Sequence, residues 1–263
     1  MKILSLNGSL RKDGNTGRII SLIEKRLMEI AYEQGVPIEI ERINIGHADI
    51  RTCRGCRVCF DAGEEKCPLK DDVLEIREKM READAIIAAS PVYVEDVSGA
   101  MKNFLDRLAF ICHRPEFAGK TVYIATTSGG GSTNHAVNTL KRAFSVWGVS
   151  YIRKNKFRTG ALMETGEMET IHGIGTAKAA ELIYDAVKSG KGRKPSFLSL
   201  ATFTAQQKIW QKSAGCEDVY DYKYWKGKGW LEKDCTYYIK HGTGIFKVAS
   251  ARLAGRLIAA FFV

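Results

Sequence analysis

The chain has 263 residues, 45% apolar and 27% charged, which supplies enough apolar side chain for a core and too much charge for a bundle of membrane spans. That balance also excludes a disordered or collagen-like chain. The formal net charge of +10 is uneven, since residues 189–263 hold 13 of the 40 Lys and Arg but only 5 of the 30 Asp and Glu.

The first residues, Met1 to Gly8, form too short an apolar run for a secretory leader and read as a first strand. Further strands are expected at Pro37–Ile43, Ala85–Ala89, Thr121–Thr126 and Val149–Asn155, after a first one at Lys2–Leu6. Helical periodicity lies between them at Thr16–Gln34, Asp71–Glu82, Ser98–Phe110 and Asn134–Trp147, with a fifth helix at Gly175–Ser189. This alternation predicts an α/β, flavodoxin-like doubly wound arrangement of five parallel strands over residues 1–188, whose ligands sit outside the C-terminal ends of the strands. Chemistry is therefore expected at Gly8–Asn15, Ser90–Val97 and Thr127–Thr133.

The first of these loops reads Gly8-Ser9-Leu10-Arg11-Lys12-Asp13-Gly14-Asn15-Thr16 and opens a helix. Backbone N–H groups and hydroxyls at a helix N-terminus suit an anion, and Arg11 adds a charge-assisted donor. Neither the dinucleotide nor the nucleotide-triphosphate fingerprint fits. The competing use is helix capping by Asn15 or Thr16.

Gly8-Ser9-x-Arg11-x-x-Gly14-Asn15-Thr16, Ser90-Pro91-Val92-Tyr93 with Gly99-x-x-Lys102-Asn103-Phe104-x-Asp106-Arg107, and Thr127-Ser128-Gly129-Gly130 together resemble the NAD(P)H-dependent FMN reductase family over residues 1 to about 188. The resemblance implies FMN, with Ser9, Arg11, Asn15 and Thr16 around its phosphate. Pro91, Val92 and Tyr93 would flank the isoalloxazine, and Ser128, Gly129 and Gly130 would approach its other edge. A nicotinamide donor, NADH or NADPH, is implied as co-substrate. Lys102, Asp106 and Arg107, at i, i+4 and i+5, read as a helical ion-pair set outside the site.

The sharpest local signal lies in the loop 51–70, Cys53-x2-Cys56-x2-Cys59-x7-Cys67-Pro68. Four thiolates in one loop can surround a soft metal centre, and the spacing echoes the bacterial ferredoxin run. It resembles the iron-sulfur flavoprotein branch of the family, which implies a [4Fe-4S] cluster on Cys53, Cys56, Cys59 and Cys67. Zinc uses the same ligands but usually separates two pairs by a longer spacer. Free redox thiols, favoured by Arg51, Arg54 and Arg57, are the third reading. Cys112, Cys216 and Cys235 read as lone small hydrophobes. An odd total of seven cysteines, four of them clustered, argues for a reducing cytoplasmic location rather than a secreted disulfide framework.

The five histidines share no metal spacing, and no catalytic side-chain set stands out, as expected where a flavin carries the chemistry. Residues 189–263 form a basic, aromatic extension with Trp210, Trp225, Trp230 and a run of tyrosines. It ends in an amphipathic helix read as docking, with Phe246, Leu253 and Leu257 clustered on one face. A homodimer- or homotetramer-forming arm is the favoured use, over an anionic membrane surface and over nucleic acid. The expected function is transfer of hydride from NAD(P)H to FMN, and of electrons onward, through the cluster if present, to a small molecule or protein. The alternative is an electron-transfer flavoprotein, reduced by a ferredoxin-like partner and without its own nicotinamide site.

Overall fold

A computed structural model describes every residue except 12, 161–162, 213–216 and 262–263. Cys216, read above as a lone small hydrophobe, lies outside the described residues. The strands are β1 (Lys2–Asn7), β2 (Glu39–Asn44), β3 (Ala85–Tyr93), the two-residue β4 (Asp96–Val97), β5 (Thr121–Ser128) and β6 (Tyr151–Arg158). The sheet order is β2-β1-β3-β5-β6, all parallel, with β4 folding back antiparallel on β3. Every one of the five expected strands forms, and each runs further at its C-terminal end than its apolar pattern reaches. The ladder continues through polar pairs such as Asn7↔Asn44, Pro91↔Thr127 and Ser128↔Arg158. Backbone pairing, rather than burial of side chains, carries these last residues to the edge where the loops meet.

Alternate residues of the central strands feed two cores. Leu4, Leu6, Ile86, Ala88, Val122 and Ile124 face one cluster, with Met101, Phe104, Leu140 and Phe144. Ile3, Ile87, Tyr123 and Ala125 face the other, with Ile19, Ile23, Leu27 and Ile183. The helices over these faces are α1 (Asn15–Glu33), α3 (Val73–Glu82), α4 (Gly99–Arg107), α5 (Asn134–Val146) and α6 (Thr165–Lys188), with a single turn, α2 (Val58–Asp61), in the cysteine loop. α6 starts ten residues before the sequence expectation. Its first turns are polar and Gly-containing, yet Met168 is fully buried at 0% exposure and anchors them. The edge strand β6 carries Arg153, Lys154, Lys156 and Arg158, charges that discourage pairing with a further strand.

The extension forms α7 (Phe197–Lys212), α8 (Tyr220–Gly227) and α9 (Ile245–Ala260) around a third cluster of Leu200, Phe203, Trp225, Trp230, Tyr237 and Ala251. α9 does dock, but on the opposite face from the one expected. Ala251, Gly255 and Ala259 are buried, whereas Phe246, Leu253 and Leu257 are exposed. The reason is distance: a Cβ on Gly255 would lie 2.5 Å from the Ala201 carbonyl oxygen, so α9 lies too close to α7 for any but small residues.

Candidate functional site

The cleft at the strand ends is built by the ends of β1, β3, β5 and β6. Asn7 Oδ1 accepts from Ser9 N at 3.1 Å, while its Nδ2 donates to Asn44 at 3.0 Å, so the strand end sets the turn. Ser98 caps α4 by accepting from Met101 N at 3.2 Å, and its hydroxyl donates to the Gly8 carbonyl at 2.6 Å. The resulting cleft of about 150 Å³ is lined by Ser9, Arg11, Asn15, Thr16, Pro91, Val92, Tyr93, Ser128 and Gly129, together with Gly14, Thr127 and Thr159. Gly130 is the one expected residue outside the lining, exposed in the same loop.

The capping use of Asn15 and Thr16 does not occur. Gly14 occupies the N-cap position of α1 without a side-chain bond, and the first turn holds no acid. Asn15 Nδ2 instead donates to the Gly160 carbonyl at 2.9 Å, and the Thr16 hydroxyl meets that of Thr127 at 2.7 Å. The N–H groups of Asn15, Thr16 and Gly17 have no acceptor among the described residues, and neither has the Arg11 guanidinium. An uncapped helix N-terminus with a free cation beside it is an anion cradle. At its rim Val94 (φ 49°) and Glu95 (φ 70°) lie in the left-handed region. This hairpin turn usually takes Asn and Gly there, so a β-branched residue stores strain at the cleft. Val94 is 99% exposed.

The cysteine loop follows β2. Cys53, Cys56, Cys59 and Cys67 are all unpaired and border one apolar recess of about 190 Å³. Among the described residues none lines both this recess and the strand-end cleft. Among the described residues no three His, Cys, Asp or Glu close around a single point. Burial pushes the Cys59 thiol up, and the neighbouring Cys67 adds to this, while Arg114 opposes it. Arg107 is not part of a surface ion-pair set. Lys102 and Asp106 pair in solvent at 2.6 Å, but Arg107 is buried against Asp71, and its Nη2 lies 3.9 Å from Cys67 Sγ.

Behind the recess Arg114 is fully buried at 0% exposure. Its Nη2 donates to the Cys59 carbonyl at 2.9 Å and to Glu64 at 2.8 Å, and its Nη1 to Asp221 of α8. Phe110 and Tyr220 stack over the guanidinium at 5.1 and 4.9 Å. Arg77 holds Glu64 at 2.9 Å and Glu116 at 2.5 Å, and His113 Nδ1 meets Asp221 at 2.6 Å. The extension is thereby tied directly to the back of the cysteine loop.

The protein-family model for NADPH-dependent FMN reductase matches residues 1–161. The chain belongs to that family. Among its relatives, an iron-sulfur flavoprotein of Archaeoglobus fulgidus is 29% identical over 232 residues, 88% of this chain and all of the relative. One from Methanosarcina thermophila is 30% identical over 192 residues, 72% of this chain and 96% of the relative. The structure of RosB with a bound 8-demethyl-8-formylriboflavin-5'-phosphate intermediate superposes with a TM-score of 0.55 at 16% identity, over 93% of this chain and 92% of that one. Apo NADH:FMN oxidoreductase EMOB superposes at 0.51 and 16%, over 70% and 89%. These likenesses confirm the doubly wound fold, and the family makes the protein an FMN-dependent oxidoreductase that uses NAD(P)H.

Gly14, Thr127 and Thr159 line the cleft without a role assigned from the sequence. Gly14 and Thr127 stand in the quoted motifs, and Thr159 follows a strand whose end ran past its apolar pattern. Gly46 carries no motif signal either. A Cβ there would lie 2.5 Å from the Ser9 carbonyl oxygen and 3.0 Å from Leu10 Cα, both backbone atoms of the loop that follows β1. Gly46→Ala must therefore displace the loop, at a cost of about 1–3 kcal/mol. Isothermal titration of the apoprotein with FMN is expected to show affinity lower by about tenfold or more. Unchanged affinity would dissociate this loop from flavin binding. A larger cleft of about 580 Å³ lies around Gly119, Lys120, Lys188 and Arg193, at the opposite end of the strands. Lys188 closes α6 there and complements its C-terminus.

Proposed function

We propose that the protein binds FMN in the cleft at the strand ends, accepts hydride there from NAD(P)H, and passes electrons to an acceptor by way of the cysteine loop. The observation that carries this reading is the uncapped N-terminus of α1, whose first three N–H groups have no acceptor among the described residues, with Arg11 beside it, next to Pro91, Val92, Tyr93 and the open glycines 129 and 130. The N–H groups and Arg11 hold the phosphate, and Ser9, Asn15 and Thr16 keep the loop in shape through their own hydrogen bonds. Tyr93 and Pro91 form the wall for the ring, with Ser128, Gly129 and Gly130 at its other edge. Bound FMN would supply the hydride-accepting ring, and no side chain need act as acid or base on the nicotinamide.

The four cysteines fit a [4Fe-4S] cluster better than a lone ion. The four thiols rim one recess with volume to fill, and their spacing lacks the longer spacer that usually separates two cysteine pairs in structural zinc sites. Cys53, Cys56, Cys59 and Cys67 would be its ligands, with Arg107 donating to the Cys67 sulfur and Arg114 fixing the Cys59 backbone. A bound cluster would supply one-electron relay. A homo-oligomer that sets one chain's recess at another's cleft would bring the two centres together.

The test is anaerobic titration of the FMN-loaded protein with NADPH and NADH. Bleaching of the flavin without any protein partner is expected. Bleaching only by a reduced ferredoxin would replace this reading with that of an electron-transfer flavoprotein.

A further inference from the structure

The face of α9 turned away from α7 is not used by the flavin chemistry. At helical spacing Phe246, Leu253, Leu257 and Phe261 share that side, opposite the buried Ala251, Gly255 and Ala259. Phe246 and Phe261 are each 89% exposed, and Leu253 and Leu257 60% each. Such a row of large apolar side chains in water marks an interaction surface.

Its surroundings say what kind. Arg252 and Arg256 lie on one border of the row and Lys247 on the other. Lys247 Nζ donates to the Pro195 carbonyl at 2.9 Å, which brings the start of α7, with exposed Phe197 and Leu198, alongside the start of α9. Arg252 Nη2 donates to the Lys233 carbonyl at 2.8 Å. Burial, with the charges of Arg256, Arg252, Lys233 and Lys212, pushes the Lys208 ammonium down, so five cations crowd this end of α7 and α9. Glu232 and Asp234 are nearby and leave the patch positive. A second copy of the chain would bring the same cations against themselves across a two-fold axis, which like-charge repulsion penalises. An anionic surface meets both the apolar row and its cationic borders. None of the described helices is long and apolar enough to cross a membrane.

We propose that α9 is an interfacial helix that seats the protein on an anionic phospholipid surface, with Phe246, Leu253, Leu257 and Phe261 in the acyl boundary and Arg252, Arg256 and their neighbouring lysines at the phosphates. The proposal stands apart from the flavin reading and uses none of its residues.

Co-sedimentation of the full chain with vesicles tests it. Partitioning is expected to be about tenfold or more stronger onto vesicles of phosphatidylcholine with phosphatidylglycerol than onto phosphatidylcholine alone, and to fall with added salt. Leu253→Gln with Leu257→Gln, and separately Arg252→Gln with Arg256→Gln, should each weaken it by about tenfold or more. Leu253, Leu257 and Arg256 are exposed, whereas Arg252 is half-buried and holds the Lys233 carbonyl, so the leucine pair should leave the thermal melt unchanged and the arginine pair should lower it only slightly. Absence of sedimentation with either vesicle, or full binding by both pairs of variants, would overturn the proposal. So would a dimer that the Leu→Gln pair splits in sedimentation equilibrium without lipid, since the face would then belong to a second copy.

Discussion

Replacing Arg114 with methionine is expected to destabilise the reductase by about 3–5 kcal/mol, the range for removing one partner from a buried ion pair. Glu64, Glu116 and Asp221 are respectively 8, 4 and 3% exposed at their side chains, and without Arg114 the buried Arg77 still faces Glu64 and Glu116, while Asp221 keeps the half-exposed His113 alone among the described residues. Methionine restores packing volume against Phe110 and Tyr220, so the loss measured is that of charge and hydrogen bonds rather than of a cavity. Arg114→Lys keeps the charge but cannot span Asp221, Glu64 and the Cys59 carbonyl together, and should recover only part of the stability. Thermal melts report the size of the effect. Alkylation rates of Cys53, Cys56, Cys59 and Cys67, read by mass spectrometry on protein stripped of iron, report whether the loop has been released. Gly63→Ala should release it as well. Gly63 has φ +96°, and a Cβ there would meet the Tyr220 ring at 2.8 Å. A melt within about 1 kcal/mol of the parent for Arg114→Met, with unchanged alkylation, would show that α8 does not hold the loop.

Replacing Cys53, Cys56, Cys59 and Cys67 together with serine is expected to abolish iron and sulfide binding while leaving FMN in place. Serine lacks the soft thiolate that an iron-sulfur centre requires. Among the described residues the cleft and the recess have no lining residue in common, so released-flavin content should stay within error of the parent. Iron, sulfide and flavin assays on anaerobically purified variant and parent check both halves. Iron retained by the serine variant would place any metal elsewhere, and loss of flavin together with iron would mean that the two sites are coupled through the fold.

The sheet was legible because alternation on its strands is strong. Leu4, Leu6 and Ile86 against Ile3 and Ile87 sort to opposite cores as period-two patterning requires. The three strand-end loops were legible for the same reason, since the fold class alone says which ends gather. The contact between Arg114 and Asp221 was not legible. It spans 107 positions, and neither residue stands in a motif, so nothing local marks it. The docking face of α9 was misread because hydropathy points to Phe246, Leu253 and Leu257. Close approach of two helices instead selects Ala251, Gly255 and Ala259, whose small size carries little hydropathic signal.

Whether FMN and an iron-sulfur centre share this chain can be read from one sample. One anaerobic preparation of the full chain, analysed for released flavin, iron and acid-labile sulfide alongside its absorption spectrum, tests it most directly. About one FMN, four iron and four sulfide per chain are expected, with flavin bands over a broad shoulder near ~400 nm. Flavin without iron or sulfide would contradict the role given to the cysteine loop, and a preparation that neither carries nor takes up FMN would contradict the site itself.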